Sequence, residues 1–392
     1  MSLLPVGEAQ ARLLALARPL PIETLPLIDA SARWAAEEVI ARRTQPAADL
    51  SMMDGYAIRF ADLPGPWRVI GESRAGMRLD RRVGKGEAAR IFTGAPVPEG
   101  ADAILVQEEA SRDGDLLRLA GEGPLRAGSS IRPRGSDFAE GARLFSNGDL
   151  LTPGRIAAAA VGGHGALAVR RRPRITLIST GDELVAPGEA AEGVMLPASN
   201  GVMLRALIGA AAEVCDAGIV PDRLDALVQA FRTADADILV TTGGASVGDH
   251  DLVRPALAEA GAALDFWRIA MRPGKPLLAG KLGDTIILGL PGNPVSAFVT
   301  AQLFLLPLIA HLGGARAPIP QTERALLAAP LPAVGNRDDY IRATLSEGRV
   351  RPLSNQDSGA VSTLALADTL IVRPAGASPA PVGENVDILR LA

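Results

Sequence analysis

The sequence predicts a multidomain α/β protein with additional β-rich parts, and three observations support this fold class. The chain has 392 residues, which is more than one hydrophobic core normally organises. Strand-like and helix-like patterns alternate between residues 174 and 313, as in a parallel sheet with helices on both faces. From 42 to 137, glycine and proline recur between short apolar runs, which is typical of a small β-rich domain.

The composition excludes several classes of protein. A formal net charge of −4 argues against a nucleic-acid binder. The single cysteine, Cys215, excludes an internal disulfide and a multi-cysteine metal site, and its apolar neighbours predict a buried thiol. The longest apolar stretch, 295–312, contains polar residues and a proline, so it predicts a buried helix rather than a membrane span. With no signal-peptide pattern at the first residues, we expect a cytoplasmic protein that binds neither nucleic acid nor membrane.

The predicted elements follow from local patterns. Helices are expected at 7–16, at 31–41 behind Ser31 as N-cap, and at 155–161 behind Pro153. In the alternating region, strands are expected at 175–179, 237–240 and 285–290, and helices at 200–213, 251–260 and 295–312. After residue 318 the segments are short, proline-rich and β-like.

Each of the three predicted strands lies beside a loop of unusual composition. The carboxyl ends of parallel strands meet at one edge of a sheet, so we expect these loops to converge on a ligand. Glycines allow backbone N–H groups to approach a phosphate, and prolines hold the loops rigid. The candidate binding residues are Thr180, Gly181, Asp182, Gly243, Gly244, Ser246, Val247, Pro291, Gly292, Asn293 and Pro294.

Charged residues beside these loops suggest phosphate and metal chemistry. Arg272 and Lys275 flank a Pro-Gly turn and suit an oxyanion. Glu183, Asp237 and Asp251 carry the carboxylates that Mg²⁺ prefers together with phosphate and water. Taken singly, each loop is an ordinary turn or helix start, but their joint placement favours a site.

The β-rich region adds three candidates, and the histidines add none. Asp54 lies at the start of a predicted strand, and Thr93 lies in a rigid Gly-Pro loop. Asp137 ends a segment that contains Arg132 and Arg134. His250 lies within the glycine loop, where a solvent-facing role is favoured.

Taken in order, these motifs resemble the molybdopterin molybdenumtransferase family of molybdenum cofactor biosynthesis, which is related to the E domain of gephyrin. The matching segments span nearly the whole chain. They are residues 53–57, 93–98, 132–137, 179–184, 242–248, 273–276 and 290–296, with 337–342 and 356–359 near the end.

The resemblance implies four domains. Residues 1–41 with 138–172 would form a helical N-terminal domain, and 42–137 a β-rich inserted domain. Residues 173–315 would form a three-layer α/β molybdopterin-binding domain, and 316–392 a C-terminal β-barrel. It also implies an elongated homodimer, in which Asp54 and Thr93 of one subunit complete a site built from residues 179–294 of the other.

The resemblance further implies a Mg²⁺-dependent transferase. Such an enzyme inserts molybdenum from molybdate into adenylylated molybdopterin and releases AMP, giving molybdenum cofactor. Glu183, Asp237 and Asp251 would bind Mg²⁺ and act in catalysis, and Arg272 with Lys275 would hold molybdate. The catalytic set also includes Asp54, Thr93, Asp137 and Lys275.

Possible partners are a molybdopterin adenylyltransferase and downstream molybdoenzymes. Two alternatives stay open, namely a molybdopterin adenylyltransferase and a non-enzymatic cofactor carrier or scaffold.

Two departures from the family pattern stand out. Ala198 occupies a position where the family usually has an acid, and Asn200 is expected to cap the following helix. Arg272 stands where many relatives have lysine, which keeps the charge and changes its geometry.

Overall fold

The structure is a computed structural model that describes residues 3–244 and 252–391. The strands in chain order are β1 Ile22–Pro26, β2 Val39–Ile40, β3 Leu50–Ser51, β4 Gly55–Ile58, β5 Trp67–Ser73, β6 Glu87–Ile91, β7 Ala103–Val106, β8 Ala110–Asp113, β9 Leu116–Leu119, β10 Ile131–Arg132, β11 Arg143–Phe145, β12 Ala166–Arg170, β13 Arg174–Thr180, β14 Leu184–Val185, β15 Leu196–Pro197, β16 Glu213–Val220, β17 Ile238–Thr242, β18 Ala263–Arg268, β19 Met271–Arg272, β20 Pro276–Leu282, β21 Thr285–Leu290, β22 Glu323–Leu327, β23 Asp338–Ser346, β24 Arg349–Pro352, β25 Thr369–Arg373 and β26 Asn385–Arg390. The helices are α1 Val6–Ala15, α2 Pro153–Val161, α3 Ser199–Ile208, α4 Leu224–Thr233, α5 Val253–Ala260, α6 Pro294–Thr300, α7 Leu306–Leu312 and α8 Val361–Leu364, and a π-helical turn, Ala301–Leu305, joins α6 to α7.

The central sheet has the strand order β16-β13-β17-β21-β20-β18. Its strands bury alternate residues on opposite faces, which gives two cores. Leu177 and Val240 pack with α1, α3, α6 and α7 on one face, and Ile178 and Leu239 pack with α4 and α5 on the other. The predicted three-layer α/β fold is therefore confirmed.

The sheet is mixed rather than wholly parallel as predicted. Strands β16, β13, β17 and β21 are parallel, but β20 is antiparallel to β21 and to β18. The reason is the tight connection from Leu282 to Thr285, in which Gly283 has φ +59°. A two-residue turn joins only antiparallel neighbours.

The N-terminal helix packs on the α/β core. α1, which confirms the helix predicted at 7–16, buries Val6, Ala9 and Leu13 in that core, and Gln10 Nε2 donates to the Leu303 carbonyl at 2.8 Å. The next segments on either side of the β-rich region then pair with each other, β1 with β12 and β2 with β11.

The helix predicted at 31–41 is absent. Ala32 has φ +59°, and the following backbone N–H groups bond to distant segments. Ala35 N donates to Asp149 O at 3.0 Å and Ala36 N to Ala168 O at 2.9 Å. These long-range bonds replace the i→i−4 ladder of a helix.

The helix predicted at 200–213 ends at Ile208, and the chain continues into the edge strand β16. Because β16 pairs on one side only, most of its residues are exposed. Cys215 is among them, so the prediction of a buried thiol is wrong.

The β-rich region forms a six-stranded sheet in the order β7-β4-β6-β5-β9-β8. Apolar cores lie around Ile58 and Trp67 and around Ile91 and Ile104. Near the end of the chain, strands β22 to β26 close into a five-stranded barrel because β23 pairs with both β24 and β25. The short strand β19 pairs in parallel with Asp338 and Asp339 at the start of β23 and so connects the barrel to the α/β unit.

The apolar helical stretch from Pro294 to Leu312 is long and apolar enough to cross a membrane by composition alone. In the structure, 78% of its most apolar window is buried inside the protein. It lies in the α/β core, as predicted for a buried helix.

Candidate functional site

A cavity of about 780 Å³ opens at the carboxyl edge of the central sheet. The register places Ser179 beside Thr242 and Thr242 beside Leu290, so β13, β17 and β21 end at the same edge. The predicted convergence of the three loops is thus confirmed. The cavity is lined by Ser179, Thr180, Gly181, Glu183, Leu184, Leu196, Pro197, Ala198, Ser199, Asn200, Asp222, Thr242, Gly243, Gly244, Pro276, Pro291, Gly292, Asn293, Pro294, Ser296, Gly359 and Val361.

The loop after β13 brings carboxylates to the cavity. The Thr180 hydroxyl donates to the Asp222 carboxylate, and the Asp222 N–H donates to Asp182 Oδ1 at 3.1 Å. Glu183 is held by its backbone, since its carbonyl accepts from Leu196 N at 2.8 Å. Glu183 and Asp222 therefore both face the cavity, while Asp182 fixes the loop from outside its lining.

The loop after β17 approaches the loop after β13 more closely than any side chain would allow. Gly243 has φ +96°, and a Cβ built on it would lie 2.2 Å from the Thr180 carbonyl oxygen. Only glycine fits this position. The other residues predicted in this loop, Ser246, Val247, His250 and Asp251, lie outside the described residues.

The Pro291 to Pro294 loop after β21 forms a further wall. Its Gly292 carbonyl accepts from Asn200 Nδ2 at 2.8 Å. Asn293 Nδ2 donates to Ser358 Oγ at 3.0 Å, and Val295 N donates to the Ser358 carbonyl at 3.1 Å. The C-terminal barrel thus reaches the cavity through the segment around Ser358.

A buried arginine holds that barrel segment in place. Arg342 is 1% exposed and donates to the carbonyls of Asn355, Asp357 and Ala360, at 3.2, 2.8 and 2.9 Å. Gly359, which lines the cavity, lies inside the segment fixed by these bonds. Sequence analysis did not assign a role to Arg342, because its partners are backbone atoms that no side-chain pattern reveals.

The start of α3 differs from the expected capping arrangement. Ala198 is the N-cap and has no side-chain acceptor, and Asn200 lies inside the first turn. Because Asn200 Nδ2 is bonded to Gly292, Asn200 bridges two loops and the prediction that it caps the helix is wrong. Its Oδ1 atom is buried without a partner in the described residues.

The turn of Arg272 and Lys275 borders the cavity at Pro276. Gly274 has φ +104°, and a Cβ there would lie 2.5 Å from Thr300 Cγ2, so the turn is pressed against α6. Both cationic side chains are exposed and neither lines the cavity. The described lining residues therefore include two carboxylates and no lysine or arginine.

Asp54 and Thr93 are brought together, and neither of them lines the cavity. Asp54 Oδ1 accepts from Thr93 N at 2.7 Å and from Thr93 Oγ1 at 2.8 Å. The Thr93 N–H, then its hydroxyl, hold the pKa of Asp54 below its usual range, and the charge of Arg90 acts in the same direction. Asp137 is exposed, and no hydrogen bond or ion pair among the described residues joins it to this pair.

Asp237 does not belong to the cavity, and its predicted place among the metal ligands is wrong. It precedes β17, so it lies at the amino edge of the sheet, about 16 Å along the strand from Thr242. Both its oxygens accept from Arg171 at 2.8 Å, and Oδ2 also accepts from Arg174 N at 2.7 Å. Burial is the largest single influence on the pKa of Asp237 and acts to raise it, but the bonds from Arg171 and from Arg174 N, together with the charges of both arginines, lower the pKa.

Asp222 is a cavity residue that sequence analysis missed. It follows β16, a strand that the sequence pattern did not indicate, so Asp222 was not placed at a strand end. Its neighbours Pro221 and Arg223 resemble an ordinary turn. The carboxyl-edge rule would have identified it once β16 was known.

The described residues contain no group of three or more His, Cys, Asp or Glu side chains that could hold a metal ion alone. Glu183 and Asp222 nevertheless place two carboxylates in one cavity. This donor set suits Mg²⁺, which commonly binds one or two carboxylates and completes its shell with water and substrate phosphate.

An α/β sheet with a cavity of this size at the carboxyl ends of its parallel strands has the architecture of the α/β proteins that bind a small molecule at this edge. Family profiles refine this class. Residues 4–163 match the MoeA N-terminal region (domain I and II), 176–311 a probable molybdopterin binding domain, and 324–391 the MoeA C-terminal region (domain IV). The chain belongs to the molybdopterin molybdenumtransferase family.

Individual relatives agree with this membership. A molybdopterin molybdenumtransferase of Staphylococcus aureus is 32% identical, over 98% of this chain and 95% of the relative. One from Haemophilus influenzae is 36% identical, over 80% of this chain and 78% of the relative. The crystal structure of a molybdopterin biosynthesis MoeA protein from Pyrococcus horikoshii is 27% identical, covers 99% of both chains and superposes with a TM-score of 0.81.

Proposed function

We propose that this protein inserts molybdenum from molybdate into adenylylated molybdopterin, releases AMP and so forms molybdenum cofactor. The observation that carries the proposal is the cavity at the ends of β13, β17 and β21. Most of its lining residues lie within the part of the chain that matches the molybdopterin-binding profile, and Gly359 and Val361 come from the C-terminal region. A volume of about 780 Å³ lies in the range of sites for ligands of this size.

The loops would hold the phosphate and pterin portions of the substrate. Gly243 and Gly244, with the following Ser246 and Val247, would offer backbone N–H groups to phosphate oxygens. The opposite wall of the cavity would be shaped by Thr180, Gly181 and Asp182. The third wall would be the loop of Pro291, Gly292, Asn293 and Pro294. Rigid loops of this kind lower the entropy lost when a ligand binds.

We include Mg²⁺ in the proposal because the cavity is acidic while its substrate is anionic. Glu183 and Asp222 would hold the ion with Asp251, and when bound it would neutralise charge on the phosphoanhydride. The chain itself would position the anhydride between these carboxylates and the glycine loop. Asp222 replaces Asp237 in this assignment because of its place in the cavity.

Molybdate would bind at the rim, where Arg272 and Lys275 present exposed cations next to Pro276. Asp54, whose ionised form is stabilised by Thr93, would orient a water or a metal ligand at the reacting sulfurs. Because this pair does not line the cavity, we propose that it acts from the second subunit of a homodimer. Asp137 would stand at the same opening.

AMP release from adenylylated molybdopterin, with and without molybdate, tests the proposed function. We expect release by the full chain to depend on molybdate and Mg²⁺, and to fall at least about a hundredfold in Glu183→Gln. Glu189→Gln, an exposed glutamate six residues further along, is the matched control and should keep the wild-type rate. Equal rates in Glu183→Gln and the wild type would exclude the proposed site.

The same preparation distinguishes the nearest alternatives. Incubation with ATP and molybdopterin, without molybdate, should give no adenylylated product. Formation of that product would instead identify an adenylyltransferase. A protein that binds the substrate and shows neither activity would be a carrier.

A further inference from the structure

Arg90 lies between two aromatic rings on the β-rich sheet, beside the pair of Asp54 and Thr93. It is the cross-strand partner of Tyr56, and Phe92 follows it two residues along the chain, on the same side of the sheet. Its guanidinium carbon lies 5.2 Å from the centre of the Tyr56 ring and 4.8 Å from that of the Phe92 ring. Both distances are those of cation–π contacts, so the two rings hold the half-buried guanidinium group in place.

The same guanidinium group reaches both backbone segments that flank Asp54. Its Nη1 donates to the Gly55 carbonyl at 3.1 Å, and its Nη2 donates to Gln107 Oε1 at 2.8 Å. Gly55 directly follows Asp54, and the Gln107 N–H donates to the Asp54 carbonyl at 3.0 Å. Arg90 therefore binds both the residue after Asp54 and the residue that holds the Asp54 carbonyl.

Arg90 differs in its partners from two other arginines of the β-rich region. Arg68 and Arg81 form ion pairs with Glu87, at 3.0 and 2.6 Å. Arg90 instead contacts two neutral oxygens and two rings. A guanidinium group is planar and presents its donors in a fixed fork, so these four contacts define its orientation. A lysine ammonium carries the same charge without the fork, which allows charge and geometry to be separated by substitution.

The bonds of Arg90 lie at the end of β4 that carries Asp54. Backbone pairing already joins β4 to β6 on one side and to β7 on the other. The bonds of Arg90 are made at Gly55, the first residue of β4, and at Gln107 in the turn after β7. Its contact with Phe92 is made next to Thr93. Arg90 thus connects the two halves of the Asp54–Thr93 pair.

We propose that Arg90 is a positioning residue that holds Asp54 in the orientation bonded by Thr93, ready to act at the cavity of a second subunit. This inference rests on the proposed function, because Asp54 affects the reaction only if it acts at that cavity. Arg90 does not line the cavity, so its loss leaves the substrate-binding residues in place. Such a residue affects the rate of the chemical step and leaves the affinity for substrate unchanged.

Arg90→Met tests the proposal, because methionine keeps the packing between the rings and removes both hydrogen bonds. In molybdate-dependent AMP release we expect kcat to fall about tenfold and KM to stay within about twofold of the wild type. Arg90→Lys should remain within about threefold of the kcat of Arg90→Met, since lysine lacks the fork. Arg118→Met, an exposed arginine on β9 of the same sheet, is the matched control and should keep both wild-type values.

Gln107→Met is a milder variant that decides the question if Arg90→Met does not fold. Gln107 is exposed, and in this variant Arg90 keeps its rings and its bond to Gly55. We expect kcat to fall about threefold with KM unchanged. An unchanged kcat in Gln107→Met, a KM that rises as much as kcat falls in Arg90→Met, or full recovery of kcat in Arg90→Lys would overturn the inference.

Hydrogen exchange gives a second measurement that does not depend on activity. The Thr93 N–H donates to Asp54 Oδ1, so its exchange rate reports whether Asp54 keeps its orientation. Mass spectrometry should show exchange at Thr93 at least about tenfold faster in Arg90→Met than in the wild type, while amides of β5 and β9 keep their rates. Equal exchange at Thr93 in the two proteins would contradict the proposed role.

Failure of this inference and failure of the proposed function give different results. Molybdate-dependent AMP release, with unchanged kcat and unchanged exchange at Thr93 in Arg90→Met, removes only the role of Arg90. Faster exchange at Thr93 in Arg90→Met, when the wild-type protein releases no AMP, removes only the proposed activity.

Discussion

At the scale of single residues, Gly243 both lines the cavity and allows the close packing of two loop backbones. We expect Gly243→Ala to lower the free energy of unfolding by more than about 2 kcal/mol and to abolish substrate binding. Both effects follow from the 2.2 Å approach to the Thr180 carbonyl. Urea unfolding and a binding titration measure them.

Gly188 provides the matched control for this prediction. Its φ of +93° is close to that of Gly243, but a Cβ there meets nothing within 4 Å. Gly188→Ala should therefore cost only about 1–2 kcal/mol, the price of the positive φ. If the two variants were equally stable, the close contact with Thr180 would have no energetic weight.

Asp237 gives a pH-dependent prediction at a structural ion pair. Asp237→Asn should reduce stability by about 1–2 kcal/mol near neutral pH, because it weakens bonds to Arg171 and to Arg174 N. The folded pKa is below the unfolded one, so this contribution is complete above the usual aspartate pKa and is lost as pH falls through the folded value. The stabilities of variant and wild type, measured by denaturation, should converge at acid pH.

Asp235→Asn is the comparison, since Asp235 pairs with Arg174 while 84% exposed. That pair is screened by solvent and should contribute little. An equal loss in Asp235→Asn and Asp237→Asn would contradict the interpretation.

The site residues that sequence could identify were those marked by glycine and proline. Gly243 and the Pro291 to Pro294 loop reach the cavity as predicted. They were recognisable because a close backbone contact requires glycine and a rigid loop favours proline, and both residue types are visible in the sequence. Asp237 was misplaced because it was chosen for its carboxylate, although the predicted strand 237–240 begins with this residue and therefore puts it at the opposite, amino edge of the sheet. Asp222 was missed because the strand that precedes it, β16, was not predicted.

At the scale of elements, tertiary contacts account for the differences between predicted and observed structure. The segment 31–41 has helical composition, but its N–H groups are bonded to the segments around Asp149 and Ala168. β16 lacks the apolar alternation of the other strands because it is an exposed edge. Strands buried on both faces, such as β13 and β21, were recognised from their continuous apolar runs.

The segment 355–360 links the barrel to the cavity and depends on one side chain. Arg342→Met leaves three carbonyls without their donor and should lower stability by about 3 kcal/mol. Because this segment positions Gly359 and Ser358 at the cavity, KM should rise more than kcat falls. Denaturation and steady-state kinetics measure the two effects.

Arg351→Met, on the exposed side of β24, is the control and should change neither value appreciably. An unchanged KM in Arg342→Met would mean that the barrel segment does not shape the ligand site.

At the scale of the whole molecule, the proposed site is split between two regions. Glu183 lines the cavity, whereas Asp54 is bonded to Thr93 on the β-rich sheet and is absent from the lining. If a homodimer brings Asp54 of one subunit to the cavity of the other, each complete site uses residues of two chains. Sequence resemblance supplied this expectation, because no pattern within one chain reports on its partner.

Mixed dimers test this arrangement directly. Asp54→Asn and Glu183→Gln should each be inactive as homodimers, but a heterodimer of the two, purified with different tags, has one site with both residues intact. We expect it to release AMP at about half of the wild-type rate per dimer, because its second site carries both substitutions. If Asp54 and Glu183 instead act within one subunit, both sites of the heterodimer are damaged and it stays as inactive as its parents. Glu189→Gln paired with Asp54→Asn is the matched control, and it should also retain about half of the rate, because only one of its sites lacks Asp54.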